Sequence, residues 1–361
     1  MNILNRYLLK EFFKIFLLLM VGFITIYTVV DSIERANRFA EGGLDLSTVA
    51  AYMLLQIPEI VSLVTPVAVL IATILTIGIM NNRNELVALK SAGISLIRFT
   101  LPILLCGAVI SISMIILNEM VVPYTKAQTN YIKDVLARKS PPKVYYKEKF
   151  WHKGHNSIYE VGSYEVDNMV LSDVTYYHFD RQFSMDIRID AARAQYMGDR
   201  WRFFAGLMQE RQDGGKYSAT AFAEKDMILP EKPDDFIQLA KPSSEMNFSE
   251  MYAFIRKIES EGYDAKRYVV DMHSKLSMSV ACFITILLGI PLGLMRGQSK
   301  ESSIARAIVI GAGLSFFYWV GSGMINSYLG YSGILPGALA AWMINIFYTL
   351  LALWLYSHVP Q

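Results

Sequence analysis

Residues 12–30 read FFKIFLLLMVGFITIYTVV, and the chain continues Asp31-Ser32-Ile33-Glu34-Arg35. A hydrocarbon core about 30 Å thick takes roughly 20 apolar residues in a helix. The run from Phe12 to Val30 meets that length with one charge, Lys14, near its start. It is too long for the core of a signal peptide, and no small-x-small cleavage site follows it. It is expected to stay in place as a signal anchor and first transmembrane helix.

Working outward, five more runs have the same character: Glu59–Met80, Phe99–Leu117, Leu276–Met295, Ile304–Ile325 and Leu335–Tyr356. The whole-chain numbers agree. Hydrophobic residues make up 53% and charged residues 18%, against about 25% charge in soluble domains. Lys and Arg in the short loops set the orientation. One side carries Arg6, Lys10, Lys14, Arg83, Lys90, Arg98, Arg296, Lys300 and Arg306, whereas the other carries Arg35 and Arg38. The basic side is cytoplasmic, both termini lie there, and the insert from Asn118 to Lys275 lies outside. Long inserts cross regardless of their own charge.

Inside the insert the period changes. Ser157–Val161, Val170–Phe179, Ser184–Ala191, Ala194–Met197, Arg200–Gln209 and Lys216–Glu224 are short runs rich in aromatic and β-branched residues. Gly162-Ser163, Gly198-Asp199 and Asp213-Gly214-Gly215 separate them, the last a hairpin signal. An antiparallel sandwich or jelly roll is expected. After a Pro-containing linker, Pro230–Pro242, a helix starts at Asn247 with Glu250 completing a capping-box-like pair and stops at Gly262. A second helix leads from Asp264 into the fourth span. The expected organisation is transmembrane helices over 1–125, a strand-rich domain with a terminal helix over 126–264, and transmembrane helices over 265–361: six spans and one inserted all-β domain.

Several chemistries are absent. No Walker A pattern cradles phosphates, and no HExxH, GxSxG or paired intramembrane carboxylate occurs. His152 and His155 fall short of the three or four ligands of a zinc site and read as solvated histidines. Cys106 and Cys282 sit in apolar runs and read as small hydrophobes. Gly321-Ser322-Gly323 reads as close helix packing. The spans hold almost no ionisable group, which argues against ion coupling. Energy for any transport then comes from a partner. The segment from Asn81 to Ser95, between spans two and three, reads as a short amphipathic helix. Leu86 and Leu89 lie on one face, Arg83, Glu85 and Lys90 elsewhere, and Gly93 ends it. Such a helix lies either on lipid headgroups or in a groove of a cytosolic partner.

At this segment the run Glu85-Leu86-Val87-Ala88-Leu89-Lys90-Ser91-Ala92-Gly93 resembles the coupling helix of the LptF/LptG permeases, the membrane subunits of the bacterial lipopolysaccharide exporter. The resemblance covers nearly the whole chain. It includes Asn5-Arg6-Tyr7-Leu8, Asp31, Glu119 with Pro123, and Arg267-Tyr268 followed by His273-Ser274-Lys275. That last stretch looks more like the LptG branch.

The resemblance implies a Gram-negative inner-membrane permease that pairs with an LptF-like paralogue around a cavity open to the outer leaflet. It implies an LptB-like cytosolic ATPase dimer, which binds ATP and Mg in place of any cofactor in this chain, and an LptC-like membrane-anchored jelly-roll protein. Lipopolysaccharide is the cargo, and no nucleic acid or metal is expected. Arg83, Glu85, Leu86, Leu89, Lys90, Ala92 and Gly93 would couple to the ATPase. Phe23, Ile26, Tyr27 and Val30 of span one would wall the cavity and its gate, with Phe316, Phe317, Trp319 and Val320 of span five. Arg35, Arg38, Lys126, Lys133, Arg267 and Lys275 are candidate phosphate contacts, as Arg can bind phosphate in bidentate fashion. Each alone is also an ordinary interfacial anchor. Some family members carry a lysine three residues before the aspartate that matches Asp31; here Thr28 stands there, and that contact does not carry over. The rival expectation is a scaffold or mechanotransmission subunit that pulls on an envelope partner and carries no lipid itself.

Overall fold

A computed structural model of the chain describes residues 3–133, 150–154, 156–165, 168–180, 182–212, 216–233, 242–260, 264–295 and 300–358, with backbone alone at 150, 152–153 and 300–307. Two compact units result. One comprises Met1–Asn37, Asp45–Thr129 and Ser243–Gln361, and the other Arg38–Leu44 and Asn130–Pro242. The expected Asp213-Gly214-Gly215 turn, the side chain of His152, all of His155, Gly262 and Arg296, and the side chains of Lys300 and Arg306 lie outside the described residues.

The first unit is helical. Before the insert come α1 (Ile3–Gly42), α2 (Leu46–Asn82), α3 (Glu85–Ser91) and α4 (Leu96–Ile116). A π-helical turn at Leu117–Val121 joins α4 to α5 (Val122–Tyr131). After the insert come α6 (Phe248–Ser260), α7 (Lys266–Leu294) and α8 (Lys300–Met324). A second π turn at Ile325–Gly330 precedes α9 (Gly337–Ser357). Among the described residues, six helical stretches are long and apolar enough to cross a membrane, and each expected span falls on one of them.

The packing is uneven. In the most apolar window of each span, 72% of α2 and 67% of α7 is buried, against 6% of α1 and 17% of the fifth span. Glycines explain why α2 and α7 lie so close. Gly289 and Gly293 are four apart and share one face of α7. A Cβ at Gly289 would stand 3.0 Å from Thr73 Cβ, and one at Gly293 2.8 Å from Ile77 Cβ. Small residues let membrane helices approach backbone to backbone.

Gly321-Ser322-Gly323 behaves differently from its two halves taken together. A Cβ at Gly321 would touch Ile344 of α9 at 3.2 Å, whereas Gly323 faces open space. Close packing therefore explains the first glycine and not the second. Cys282 is fully buried, and Cys106 is partly buried against an apolar cluster.

The second unit holds one antiparallel sheet in the order β1 to β6: Phe150–Lys153, Ser157–Glu165, Val170–Phe179, Met185–Tyr196, Trp201–Arg211 and Tyr217–Met227. The described strands form a single up-and-down meander, without a second sheet. Ser184–Ala191 and Ala194–Met197, expected as two strands, are one. Residues Gly162, Asp173, Ala192, Ala205 and Ala223 all drop out of the pairing, while their neighbours keep step on either side. Asp173 (φ 50°) and Ala205 (φ 49°) are left-handed there. The buried set switches parity across this line: Ser157, Tyr159 and Val161 before it, then Tyr164. Small residues and left-handed backbone at matched positions bend a sheet without shifting its register. One apolar core, with Tyr159, Tyr164, Leu171, Ile189, Trp201 and Phe203, draws on both halves. The sheet thus closes over its own crease. Glu231 is buried at one margin, where Ser157 and Tyr159 hydroxyls donate to its carboxylate and Trp201 Nε1 donates to its carbonyl at 2.9 Å.

The capping box of α6 forms as expected. Asn247 N–H donates to Glu250 Oε2 at 3.1 Å, and Glu250 N–H donates to Asn247 Oδ1 at 2.7 Å. Replacing Gly293 by Val should destabilise the helical unit by about 1–3 kcal/mol through overpacking, read as a lower thermal midpoint in detergent. Gly313→Ala, where a Cβ meets nothing within 4 Å, should be neutral or stabilise by about 0.5–1 kcal/mol. Equal midpoints for both would show that the α2–α7 seam yields freely.

Candidate functional site

Two regions bring the sequence-predicted residues together. The first is α3. Seven residues cannot hold a helix in water unaided, so this one is held by its neighbours. Leu86 is 5% exposed and enters a cluster with Leu8 and Phe12 of α1, Met80 of α2 and Phe99 of α4. Leu89 and Ile94 pack against the same cluster. The end of α3 is a Schellman motif. Gly93 is left-handed (φ 76°), its N–H donates to Lys90 O at 3.0 Å, and Ile94 N–H donates to Leu89 O at 3.1 Å.

The opposite face is open. Val87 is 49% exposed, and Arg83, Ala88, Lys90, Ser91, Ala92 and Gly93 are exposed with it. Leu86 and Leu89, expected as part of a coupling surface, point instead into the body of the protein. Val87 and Ala88 face outward in their place. A short helix has one face to bury, and the larger apolar pair occupies it. Glu85 is half-buried and accepts from Tyr7 Oη at 3.3 Å, while Arg83 Nη1 lies 3.8 Å from Glu85 Oε1. The N-terminal turns of α1 therefore touch α3 through both an apolar and a polar contact.

The second region lies at the far ends of the spans. Asp31 is buried and accepts from Arg35 Nε at 2.9 and 3.0 Å and from Tyr52 Oη at 3.0 Å, which fastens α1 to α2. Lys126 is paired with Glu59, and Lys275 Nζ donates to the Met246 carbonyl. The Arg267 guanidinium lies over the Tyr331 ring, 5.5 Å from its centroid. Tyr331 Oη donates to Asp271 at 2.6 Å; burial, then this bond, pushes its hydroxyl up to about 12, so it remains a donor at neutral pH. Arg38 and Lys133 belong to the second unit, where Arg38 is exposed with no ion-pair partner among the described residues and Lys133 is half-buried and engaged. Arg35, Lys126, Arg267 and Lys275 are likewise engaged within the chain.

The proposed wall residues occupy the two least-buried spans. On α1, Ile26, Tyr27 and Val30 are exposed and Phe23 half-buried; on α8, Phe316, Phe317 and Trp319 are exposed and Val320 half-buried. Both helices lie against α2: Thr65 Oγ1 is 3.8 Å from Met20 Sδ, and a Cβ at Gly311 would sit 2.9 Å from Ile71. Beside α8 is a recess of about 570 Å³ whose walls include Met278, Tyr318, Trp319, Ser322, Asn326 and Tyr328. Among the described residues, no group of three or more His, Cys, Asp or Glu side chains could hold a metal.

Comparison with known proteins places this geometry. Residues 6–358 match the family model for the lipopolysaccharide export system permease LptF/LptG. The chain belongs to the LptF/LptG permease family. It is 20% identical to the lipopolysaccharide export system permease protein LptG of Escherichia coli (strain K12), over 98% of each chain. It is equally similar to LptG of Haemophilus influenzae, over 99% of this chain and 98% of that one. An uncharacterized protein of Aquifex aeolicus is 27% identical over 49% of each. The family is one of transporter components, with six apolar helices fitting a multi-pass membrane protein. For an LptF/LptG member, α3 falls on the run read as the coupling helix.

Because Gly93 is left-handed, Gly93→Ala should cost about 1–2 kcal/mol locally. Hydrogen exchange should then accelerate at the Gly93 and Ile94 amides and leave the α7 amides unchanged. Unchanged protection at Ile94 would mean the motif does not hold α3 in place.

Proposed function

We propose that this chain is one of two permease subunits of a lipopolysaccharide ABC exporter. It would draw the lipid from the outer leaflet of a Gram-negative inner membrane and pass it towards a periplasmic bridge. In this reading both termini are cytoplasmic, and the creased sheet within residues 126–264 is a periplasmic jelly-roll-like slide. Helices within 1–125 and 265–361 form one half of the cavity. The partners are an LptF-like paralogue, an LptB-like ATPase dimer that binds ATP and Mg, and an LptC-like jelly-roll protein.

One observation carries the reading. Leu86 of α3 shares a buried cluster with Leu8 and Phe12 of α1, the span that is otherwise least buried. A force applied to the open face of α3 is delivered to the most weakly held helix of the bundle. That is the arrangement a transporter without its own motor requires. Arg83, Glu85, Val87, Ala88, Lys90, Ala92 and Gly93 would meet the ATPase. Moving a lipid's chains through water costs roughly 0.8 kcal/mol per methylene, so tens of methylenes call for nucleotide-driven force and a continuous apolar path. The exposed faces of α1 and α8 supply such walls. Among the cations, Arg38 is best placed to meet a phosphate, because Arg35 and Lys126 would first have to leave their carboxylates.

Glu85→Lys sets a like charge beside Arg83 and removes the acceptor for Tyr7. Like-charge juxtaposition at an interface costs several kcal/mol. Lipopolysaccharide release from proteoliposomes carrying all subunits should fall at least about tenfold, with all six spans still inserted. Normal release would remove the coupling role. Photo-crosslinkers at Phe23 and Phe317 should capture lipid; adducts with protein alone would replace this reading with a subunit that transmits force and carries no lipid.

A further inference from the structure

The creased sheet has a mouth, and one short segment crosses it. The line through Gly162, Asp173, Ala192, Ala205 and Ala223 divides the strands into two halves. Ser157 and Tyr159 of β2 stand in one half, and Trp201 of β5 stands in the other. At the usual strand rise, Ser157 lies about 17 Å from the crease and Trp201 about 13 Å. Each begins its strand, so the two mark the opposing lips of the fold. Strand β6 ends at Met227, which pairs with Trp201. The chain then leaves the sheet and reaches Glu231. The Glu231 carboxylate accepts from Ser157 Oγ at 2.9 Å and from Tyr159 Oη, and its carbonyl accepts from Trp201 Nε1 at 2.9 Å. One residue is thus bonded to both lips.

The length fits. Four extended residues reach about 13 Å, against about 10 Å between stacked sheet layers. Sides alternate along the segment: Leu229, Glu231 and Pro233 are buried or half-buried, while Ile228, Pro230 and Lys232 are exposed. Gly154, in the turn before β2, makes room for the carboxylate, since a Cβ there would overlap Glu231 Oε1 and Ser157 Oγ. Behind the segment the interior is packed shut: Tyr159, Tyr164, Trp201 and Phe203 are each at most 1% exposed. A buried carboxylate is costly, and its hydrogen bonds offset that cost. When the lips part, water takes over the same bonds. A polar fastening therefore opens at less cost than an apolar seam of equal area. We propose that Ile228–Pro233 is a releasable strap, with Glu231 its clasp, that holds the creased sheet shut and admits an acyl chain to the interior only when unfastened. The occupant rests on the lipid-export reading; the strap rests on the geometry alone.

The test uses the full chain in nanodiscs, with Cys106→Ala and Cys282→Ala to remove the native thiols and Val161→Cys as a reporter, because Val161 is fully buried in the core. Glu231→Ala removes the clasp, and Gly154→Ala displaces it without touching Glu231. Each should speed reaction of the reporter with a water-soluble maleimide at least about tenfold. Hydrogen exchange at the backbone amides of β3 and β4 should stay unchanged, since parting the lips leaves the strand pairing intact. Glu231→Gln, whose amide oxygen still accepts, should speed the reaction less. Unchanged maleimide rates in both alanine variants would overturn the proposal. So would β3 and β4 amides that accelerate as much as the thiol, which would mean that the domain unfolds rather than opens. In the assembled exporter, p-azidophenylalanine at Tyr164 should capture lipopolysaccharide, with higher yield in Glu231→Ala. No capture at Tyr164 alongside the expected maleimide rates would sink the lipid path through this domain and leave the strap standing. Capture alongside unchanged maleimide rates would sink the strap alone.

Discussion

Hydrocarbon offers a polar group nothing to bond to, and that constraint arranges this molecule. Backbone groups meet it by forming helices. The few polar side chains within the spans meet it by bonding one another, and most of those bonds converge on α7. Asn345 Nδ2 of α9 donates to the Ser277 carbonyl at 2.8 Å, and Ser277 Oγ donates to the Ala341 carbonyl at 2.6 Å. Ser62 of α2 donates to Asn118 in the π turn after α4, whose amide donates on to Ser279 at 3.0 Å. Asn81 donates to the Leu294 carbonyl at 2.9 Å, and Ser111 accepts from the Phe283 N–H at 3.0 Å. Helices α2, α4 and α9 are thus each tied to α7 by hydrogen bonds, and α2 also by close packing at Gly289 and Gly293.

The peripheral helices are held differently. Along most of its membrane length α1 offers apolar side chains to whatever adjoins it, and α8 does the same at Phe316, Phe317 and Trp319. Lipid tails are as apolar as leucine, so no hydrophobic force distinguishes a lipid neighbour from a protein one. A helix held in this way can exchange neighbours at small cost, whereas one tied by hydrogen bonds cannot. The molecule therefore contains a stiff α2–α4–α7–α9 spine, an α8 tied to it by Tyr348 Oη, which donates to the Leu314 carbonyl at 2.6 Å, and an α1 held against α2 mainly near the ends of their contact.

Much of this was legible in the sequence because the signals are local. Six apolar runs, the Asn247–Glu250 cap and the stop at Gly93 each depend on residues within a few positions of one another. What escaped depends on partners distant in the chain. Leu86 and Leu89 looked like an outward interaction face because nothing local says that Leu8, Phe12 and Phe99 would claim them. Arg35 and Lys126 looked available because Asp31–Tyr52 and Glu59 meet them only after folding. Arg35 did have a clue: Asp31 is one helical turn away. In the sheet the parity of inward-facing residues reverses at Gly162, Asp173, Ala192 and Ala205. One strand consequently read as two, Ser184–Ala191 and Ala194–Met197, since a one-residue shift turns every side chain over. The pair Gly289 and Gly293 was there to be read and marks where α7 meets α2.

The geometry of α1 links these features. Its 40 residues make a rod about 60 Å long, roughly twice the hydrocarbon thickness. It is held over its first turns, from Leu4 to Met20, and again at Asp31, 11 residues before its end. At one end Leu8, Phe12 and the Tyr7–Glu85 bond join it to α3; at the other Asp31 joins it to Tyr52. A rod fastened in this way has one easy response to displacement at its α3 end, which is to tilt, because bending would strain its own hydrogen-bond ladder. Tilting about the Asp31 attachment displaces Phe23 sideways and leaves Val30, beside the pivot, nearly in place. Under the export reading, nucleotide-driven motion in the cytosol becomes a change in cavity width with no contact broken inside the spine. The same geometry explains why the pivot is ionic. A carboxylate bonded to both Arg35 and Tyr52 resists sideways loads that apolar packing, with lipid as the competing neighbour, would not.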